Sequence, residues 1–332
     1  MPDSVTIRYF SSVRVGRSLH LAGSELCSFI REVRPDIVHS HNHWPYAVWG
    51  ALSGFQPQVF TPQGSDILIH PKEKFHINLL ARFAYKRCNS VMGDSRVLQR
   101  AGYKLGASRH HNYIVQFGAD LTQFRPDLPA DHVKKALDIP DHFQIVLSPR
   151  AISPLYNIDS IIECLPSVLE ILPNVVFVFL YAFGDIQKDR LTRLAGQLGV
   201  EDSMRWVGYV PYEEMPLFLR GADLIVSVPS SDSSPRSVFE SMACGTPTLL
   251  SHLPWTDHFI EDGVNAVLVP VKNSGALATQ VVRLLQDKDE RKRIAEGALK
   301  LVRSRLDYHE NMRFVDRVYS KLVNERRHAK SS

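Results

Sequence analysis

Cysteine is scarce in this sequence of 332 residues. Its four cysteines stand far apart and form no Cys-x-x-Cys pair: Cys27, Cys88, Cys164 and Cys244. This spacing excludes a dense disulfide framework and is typical of free thiols in a reducing compartment. Long apolar runs are missing too. The longest, Val175–Phe183 with its flanks, falls well short of the roughly 20 residues that a membrane-spanning helix requires.

A secretion signal is also missing. The N-terminal sequence MPDSVTIRYF contains no basic segment followed by an apolar run and a small-residue cleavage site, so we expect a cytoplasmic protein. The net charge of +4 is unevenly spread, since residues 1–130 contain 15 Lys and Arg against 9 Asp and Glu, and the remainder 24 against 26. A basic first half suits the inner face of an anionic membrane or a phosphate-bearing acceptor, or is simply a solvated surface. No nucleic-acid partner is expected.

Short β-branched segments, polar or glycine turns and amphipathic helices alternate along the chain. This alternation predicts parallel sheets covered by helices, once in each half. The predicted strands are 37–40, 58–61, 90–92, 113–116, 144–147, 175–181, 204–207, 224–227, 248–250 and 266–269. The principal predicted helices are 18–33, 75–87, 158–172, 188–198, 215–220 and 237–244, and Asp94-Ser95 is a predicted helix N-cap.

A linker is predicted where the periodicity stops, at the proline-bearing segment PDLPADH. We therefore expect a first Rossmann-like domain over residues 1–130, completed by a C-terminal helix over residues 308–325. The second Rossmann-like domain is expected over residues 131–307.

The segment richest in chemical signals runs from Pro229 to Pro247, where a predicted strand ends in a small-residue loop and a helix begins. Free backbone N–H groups and the positive end of the helix dipole favour a diphosphate there, and Ser234 and Ser237 let a ligand approach the backbone closely. The Glu240 carboxylate is placed to accept hydrogen bonds from a ribose diol. Ser237-x-x-Glu240 equally fits a capping box, in which both side chains only accept hydrogen bonds from backbone N–H groups at the start of the helix.

The same segment ends in ESMACGTP and resembles the E-x7-E region of family 4 glycosyltransferases, which commonly ends in EAMACGTP. Asp232 stands eight positions before Glu240, where the family usually has its first glutamate. The resemblance implies the GT-B fold, an α/β architecture of two Rossmann-like domains whose parallel sheets face each other across a cleft. It also implies that Asp232 faces the donor sugar as a catalytic residue and that Glu240 binds the ribose.

Further matches to this family follow in the expected order across nearly the whole chain. They are Asp36-Ile-Val-His39-Ser-His41, Gly64-Ser65-Asp66, Phe117-Gly118-Ala119-Asp120, Phe124-Arg125-Pro126, Ser148-Pro-Arg150, Phe183-Gly184-Asp185, Trp206-Val-Gly208-Tyr209-Val210 and Ala222-Asp223. The order is more specific than any single motif. Gly184, Tyr209 and Val210 are accordingly expected to bind the donor.

Arg150 ends the first predicted strand of the second domain, at the edge where α/β folds bind ligands. Departure of a nucleoside diphosphate develops negative charge, and with no metal-binding aspartate pair in the sequence the protein must supply positive charge itself. We therefore predict Arg150 as a donor-binding and catalytic residue, with no metal and no cofactor. Relatives normally carry a lysine about six residues later. This chain has Tyr156 there, which can donate a hydrogen bond to the sugar nucleotide but carries no charge. Arg236 compensates for that lysine or is simply an exposed loop arginine.

The acceptor side of the cleft is expected to involve His41, Gln63 and Asp66. The alternation of His39, His41 and His43 invites a metal site, but no cysteine or carboxylate lies close by to complete a ligand set. Because histidines at this strand end are common in the family, we interpret them as lining the cleft. Many relatives carry His or Trp where this chain has Gln63, which can hydrogen-bond a sugar but cannot transfer a proton. Asp66 alternatively caps a turn.

Residues 1–35 leave too little room for the leading strand and Gly-rich loop with which relatives usually open. The sequence leaves two explanations, a truncated start or a divergent or inactive relative whose first domain lacks its leading strand. The expected function is transfer of a sugar from a nucleotide-sugar donor to a glycan or lipid-linked acceptor in polysaccharide or glycolipid assembly, with retention as the resemblance implies. The alternatives are a GT-B nucleotide-sugar epimerase and a non-catalytic sugar-nucleotide-binding or partner subunit. A dinucleotide dehydrogenase is disfavoured, since no G-x-G-x-x-G follows an early strand.

Overall fold

The computed structural model describes residues 7–9, 19–182 and 185–331 of the chain. The chain divides into two compact units, one formed by the residues up to 115 together with those from 313 onward, the other by residues 116–312. Each unit contains a parallel β-sheet with helices packed on it. The predicted α/β class with two Rossmann-like domains is therefore confirmed.

The sheet of the first unit has the strand order β1-β2-β3-β4 within the described residues, and every neighbouring pair is parallel. The strands are β1 (Val38–His41), β2 (Gln58–Thr61), β3 (Ser90–Gly93) and β4 (Asn112–Ile114). The helices are α1 (Leu19–Val33), α2 (Val48–Leu52), α3 (Ser65–Leu68), α4 (His70–Glu73), α5 (Phe75–Arg87) and α6 (Arg96–Leu105). The second and third strands begin where the sequence predicts them, the first lies one residue later, and the fourth is shorter and begins one residue earlier.

Local chemistry accounts for the bounds of α6 and for its place in the core. The helix begins after Ser95, whose Oγ accepts a hydrogen bond from Leu98 N over 3.2 Å, as the N-cap prediction requires. It ends at Gly106, whose φ of 108° opposes any side chain. Leu98 then packs in an apolar cluster with Phe60 and Tyr85, whose rings meet edge to face at 5.1 Å between centroids.

The sheet of the second unit has the order β10-β9-β8-β5-β6-β7, again parallel throughout. Its strands are β5 (Gln144–Ser148), β6 (Val175–Leu180), β7 (Met204–Gly208), β8 (Leu224–Ser227), β9 (Thr248–Ser251) and β10 (Val267–Val269). The remaining helices are α7 (His132–Ala136), α8 (Ile158–Ile171), α9 (Asp185–Leu198), α10 (Met215–Arg220), α11 (Arg236–Ala243), α12 (Thr256–Phe259), α13 (Ser274–Gln286), α14 (Lys288–Arg305) and α15 (Tyr308–Ser331). Most of α15 belongs to the first unit. No helix in the described part of the chain is both long and apolar enough to cross a bilayer.

Both faces of the second sheet are covered. Alternate residues of β6 enter different apolar clusters, with Val176 and Val178 on one face and Phe177 and Phe179 on the other. Strands that are apolar on both faces are characteristic of parallel sheets with helices on each side.

The strand order places a topological switch point between β5 and β8. From β5 the sheet continues through β6 and β7 on one side, and from β8 through β9 and β10 on the other. The loops that leave the carboxyl ends of β5 and β8 therefore diverge and open a crevice, which is where open α/β sheets bind ligands.

The unit boundary lies after residue 115, whereas the linker composition places it at residue 130. Ala119 N donates to Leu306 O over 2.8 Å, and Tyr308 N donates to Ala119 O over 3.0 Å. Phe124 is fully buried in the core of the second unit. Residues 116–130 belong to that unit because they pack against the end of α14, a contact that a proline-bearing sequence does not reveal.

Candidate functional site

A part-buried ion pair lies at the switch point of the second sheet. Arg150 follows β5 and Asp232 follows β8, and Arg150 Nη2 lies 2.6 Å from Asp232 Oδ2. Arg150 Nη1 also donates to Ser237 Oγ, on α11, over 3.2 Å. The side chains of Arg150 and Asp232 are only 10% and 16% exposed, so solvent and salt screen the pair weakly. The fold thus brings three predicted site residues together, although Asp232 and Ser237 follow Arg150 by 82 and 87 residues in the sequence.

An aromatic ring holds the Arg150 guanidinium from another direction. Tyr156 closes a short 3-10 turn, and its ring centroid lies 4.3 Å from Arg150 Cζ. Asn157 fixes this turn, since its Nδ2 donates to Val228 O over 2.8 Å and to Ser230 Oγ over 2.9 Å. The negative face of the ring stabilises the cation. Tyr156 therefore positions the arginine and does not replace the positive charge of the lysine that relatives carry.

Glu240 is the centre of a second polar cluster, on α11. Tyr212 Oη donates to Glu240 Oε1 over 2.8 Å, and Arg236 Nε lies 2.9 Å from the same oxygen. Arg236 Nη2 also donates to Tyr212 Oη over 2.6 Å, which closes a triangle of three side chains. Burial raises the pKa of the Glu240 carboxyl, while the hydrogen bond from Tyr212 and the charge of Arg236 oppose that rise. Sequence reasoning missed Tyr212, although it lies only two residues after the predicted donor-binding residue Val210.

The capping interpretation of Ser237 and Glu240 is wrong. The first helical residue is Arg236, one position earlier than predicted, and within the described residues α11 has no side-chain cap at Pro235. Ser237 Oγ instead accepts from Arg150, and Glu240 accepts from side chains. Both residues are therefore directed to the polar site and not to the helix start.

Arg236 is 45% exposed but anchored. Its Cζ lies 5.2 Å from the ring centroid of Tyr212 and 5.7 Å from that of Tyr308. Together with the ion pair to Glu240, these rings fix its position. A direct part for Arg236 in donor binding stays a prediction.

Gln116 lies beside the same loop and was missed from the sequence. Ser234 Oγ donates to Gln116 Oε1 over 2.8 Å, and Gln116 is only 6% exposed. Its Nε2 has no hydrogen-bond partner among the described residues. Because a buried unpaired amide is costly, this donor is suited to a ligand oxygen. No local pattern marks the residue, which stands 118 positions before Ser234.

A cavity opens beside Arg150 at the carboxyl ends of β5, β6 and β7. Its volume is about 320 Å³, and Pro149, Tyr181, Tyr209 and Val210 are among its lining residues. Tyr209 is 72% exposed, whereas Val210 is buried. A cavity of apolar surface and tyrosine rings suits a planar ring system. Gly184, which the sequence also predicts in the donor site, lies outside the described residues.

The predicted acceptor-side residues follow β1 and β2 of the first unit. Asp66 is buried, and its carboxylate accepts hydrogen bonds from His43 N over 2.7 Å and from Gln63 N over 3.0 Å. It therefore ties together the loops that follow the two strands, as the capping alternative describes, and a part for Asp66 on the acceptor side stays a prediction. The side chain of Gln63 is exposed.

His39 and His41 stack with their ring centroids 4.2 Å apart. His39 Nε2 lies 2.8 Å from Thr61 Oγ1, and its Nδ1 contacts the hydroxyl of Tyr319 on α15. Burial, with a smaller contribution from His41, lowers the pKa of His39 to about 3, and burial also lowers the pKa of His41. Both rings are therefore neutral at pH 7. Across residues 19–182 and 185–331, no three His, Cys, Asp or Glu side chains are grouped as a metal site requires.

Two family models match the chain. The model of glycosyl transferases group 1 matches residues 130–301, and a glycosyl transferase 4-like model matches residues 4–95. The two Rossmann-like units with a polar site at the switch point of the second define the GT-B class of glycosyltransferases. Since the first match alone covers more than half of the chain, the chain belongs to the group 1 glycosyltransferase family, and the predicted family and fold are confirmed.

The curated relatives include two named D-inositol 3-phosphate glycosyltransferase. That of Salinispora tropica is 29% identical over 64% of this chain and 47% of its own length. That of Frankia alni is 28% identical over 56% of this chain and 47% of its own length. The chain thus spans about half the length of the curated relatives it matches.

Solved structures share the fold over most of both chains. HepE from Anabaena in complex with UDP-glucose has a TM-score of 0.80 at 20% identity, covering 91% of this chain and 82% of HepE. WaaG, a glycosyltransferase involved in lipopolysaccharide biosynthesis, has a TM-score of 0.74 at 15% identity, covering 93% of this chain and 84% of WaaG. At these identities the likeness establishes the fold alone.

Proposed function

We propose that this chain transfers a sugar from a nucleotide-sugar donor to a glycan or lipid-linked acceptor, with retention at the anomeric carbon and without a metal ion. The observation that carries the proposal is the meeting of Arg150, Asp232 and Ser237 at the switch point of the second sheet. A diphosphate bound there meets a part-buried guanidinium and the positive end of the α11 dipole. Membership of the glycosyltransferase family supports the same assignment.

Each of these groups has a definite task in such a transfer. As the bond from the sugar to the diphosphate breaks, negative charge develops on the leaving oxygen, and Arg150 stabilises it. Positive charge develops on the sugar ring, as in glycoside hydrolysis, and the Asp232 carboxylate stabilises it. Glu240 accepts hydrogen bonds from the ribose diol while Tyr212 and Arg236 hold its carboxylate in place.

The ion pair makes Asp232 a competitor of the diphosphate for Arg150. A phosphate oxygen that approaches the guanidinium must loosen the 2.6 Å contact with Asp232. The displaced carboxylate is then free to face the sugar, which is where the family resemblance puts it. Arg150 and Asp232 therefore change partners together when the donor binds.

The proposed donor class is a UDP-sugar. The complex of HepE with UDP-glucose supports this choice, as does the cavity beside Tyr209 and Val210, which is large enough for a planar base. The names of the curated relatives make inositol 3-phosphate a candidate acceptor. A lipid-linked acceptor would instead bring the chain to the inner face of the membrane, which the basic excess of residues 1–130 supports.

Binding of a sugar nucleotide without turnover is the second candidate function. It is favoured by Tyr156, which stacks on Arg150 where relatives carry a lysine, so that one cation fewer faces the leaving group.

The deciding experiment is calorimetric titration of the purified chain with UDP-, GDP- and ADP-glucose, with and without EDTA, followed by incubation with candidate acceptors. We expect UDP-glucose to bind equally in both conditions, and an α-linked donor to give an α-linked product by NMR. Binding that EDTA abolishes would contradict metal independence, and a β-linked product would contradict retention. Conversion of the donor sugar without acceptor would indicate an epimerase, and binding without any product the second candidate. Arg190→Ala removes an exposed arginine of α9 that pairs with Asp159. It is the control for Arg150→Ala, which alone should lose donor binding.

A further inference from the structure

A second cavity, of about 750 Å³, lies at the amino edge of the sheet of the first unit. Its described lining comes from the end of α1, the segments that lead into β1 and β2, and α15. Asp36 shortly precedes β1 and Phe55 shortly precedes β2. His41 and Asp66, by contrast, stand at and after the carboxyl ends of the same strands. Since β1 and β2 are parallel, the cavity and the predicted acceptor-side residues lie at opposite edges of one sheet.

Arginines dominate the lining of this cavity: Arg31, Arg34, Arg326 and Arg327. Asp36 is the one carboxylate among the described lining residues, and Arg327 lies 3.9 Å from it. Arg326 rests on the ring of Phe55, with its Cζ 4.6 Å from the centroid, and its Nη1 faces the carbonyl oxygens of Pro35 and Asp36 at 3.5 Å and 3.4 Å.

The side chains of Arg31 and Arg34 make no hydrogen bond and no ion pair with any residue that the structure describes. The cavity therefore carries positive charge that its described walls do not neutralise. An excess of this kind in a concave site concentrates anions.

The backbone at Arg34 gives an independent indication. Arg34 has a φ of 49° and directly precedes Pro35, although this left-handed region favours glycine or asparagine at the end of a helix. Its N–H donates to Ile30 O over 3.0 Å, which glycine would do without strain. The helix dipole favours a cation near the end of α1, at Arg31 and at Arg34 alike, but it does not account for an arginine in the left-handed conformation. A strained and charged residue that lines a cavity indicates a binding role.

We propose that this cavity binds a phosphate-bearing anion, with Arg31 and Arg34 as its principal ligands and Arg326 as a further positive charge. The forked donors of a guanidinium match the oxygens of a phosphate group in pairs. The loop at Gly54 leaves the mouth open, since a side chain built there would meet nothing within 4 Å. The phosphate belongs to a lipid headgroup, which tethers the first unit to a bilayer, or to a soluble molecule.

The first test is calorimetric titration with inorganic pyrophosphate at low ionic strength. All chains in this titration carry Arg150→Ala, so that pyrophosphate binding at the proposed donor site does not contribute. The same titrations are repeated without Arg150→Ala, in case that substitution prevents folding. The variant Arg31→Gln/Arg34→Gln is expected to bind at least tenfold more weakly. The control Arg96→Gln/Arg100→Gln removes the same two charges from exposed positions of α6 and should stay within twofold. The proposal would be overturned if the Arg150→Ala chain itself bound no pyrophosphate. It would also be overturned if all chains bound pyrophosphate with equal affinity, or if both double variants were weakened equally.

The two sources of phosphate are distinguished by co-sedimentation with vesicles of phosphatidylcholine alone and of phosphatidylcholine with phosphatidylglycerol. Sedimentation with the anionic vesicles that Arg31→Gln/Arg34→Gln abolishes and the control keeps would assign a lipid headgroup. Pyrophosphate binding without sedimentation would assign a soluble ligand. Sedimentation that survives in Arg31→Gln/Arg34→Gln would overturn the lipid source. Donor binding in the second unit should be unchanged in this variant, so failure of one proposal leaves the other intact.

Discussion

Glu240 shows at the residue scale how a buried charge costs stability where it serves binding. Burial raises the pKa of Glu240, so the folded state holds this proton more tightly than the unfolded state does. Stability therefore falls as the pH rises from the ordinary carboxyl pKa through the raised one, and the penalty is fully present above that value. A buried carboxylate kept at this cost is best explained by the ligand that it binds.

We predict that Glu240→Gln weakens binding of a nucleoside diphosphate by about 1.5 to 3 kcal/mol, because a hydrogen bond to a charged group becomes a neutral one. As the pH rises above the ordinary carboxyl pKa of about 4.3, the melting temperature of the variant should decline less than that of the parent. Calorimetry and thermal unfolding measure the two effects. Glu213→Gln, an exposed neighbour of Tyr212, should change neither. Equal donor affinity in both variants would exclude the ribose contact.

The Arg150–Asp232 pair gives the second prediction at this scale. Asp232→Asn removes the charge that competes with the diphosphate, so UDP should bind about two- to tenfold more tightly while sugar transfer falls by at least about tenfold. Titration with UDP and a transfer assay separate the two effects. The exposed Asp289→Asn is the control. Weaker UDP binding in Asp232→Asn would show that the carboxylate orients Arg150 and does not compete with the ligand.

At the scale of elements, most predicted bounds agree with the structure to within one residue, for short and long elements alike; strand 58–61 and helix 215–220 match without any difference. Predicted strand 175–181 is β6 at Val175–Leu180, and predicted helix 158–172 is α8 at Ile158–Ile171. The short helices α3, α4 and α12 were not predicted, since one turn gives no measurable period and depends on its neighbours.

The backbone around Gly118 connects residues 116–130 to the end of α14. The third prediction concerns the substitution Gly118→Ala. Gly118 has a φ of 61°, and an added Cβ would stand 2.0 Å from Leu306 O, whereas Gly199 has a φ of 67° with open space around it. Gly199→Ala should lower the free energy of unfolding by about 1 to 2 kcal/mol, the left-handed penalty alone. Gly118→Ala should lower it by a further 1 to 3 kcal/mol or so, because backbone must move. Denaturant unfolding of both variants tests this, and equal losses would mean that the end of α14 moves without cost.

At the scale of the whole molecule, the two units should respond differently to acid. His39 has a pKa of about 3 in the folded first unit, below the ordinary value near 6.5, so the unfolded state takes up its proton first. Stability of that unit is therefore lost as the pH falls below about 6.5, at up to about 1.4 kcal/mol per pH unit. Hydrogen exchange of the β1 and β2 amides at pH 7 and pH 5 measures this loss. The loss of stability per pH unit should be smaller in His39→Gln and unchanged in the exposed His110→Gln. An unchanged loss in both variants would assign the effect to other titrating groups.

The sequence by itself determined the two parallel sheets, the place of the candidate site at the strand ends after residues 148 and 227, and the family. These follow from local periods of apolar residues and from contiguous motifs, which a linear chain displays directly. Only the tertiary structure decided that Arg150 pairs with Asp232, and that Tyr212 donates a hydrogen bond to Glu240. The hydrogen bond from Ser234 to Gln116 was likewise visible only in the tertiary structure. Such contacts join loops from distant parts of the chain, and their geometry depends on how the strands are ordered in the sheet, which no local pattern records.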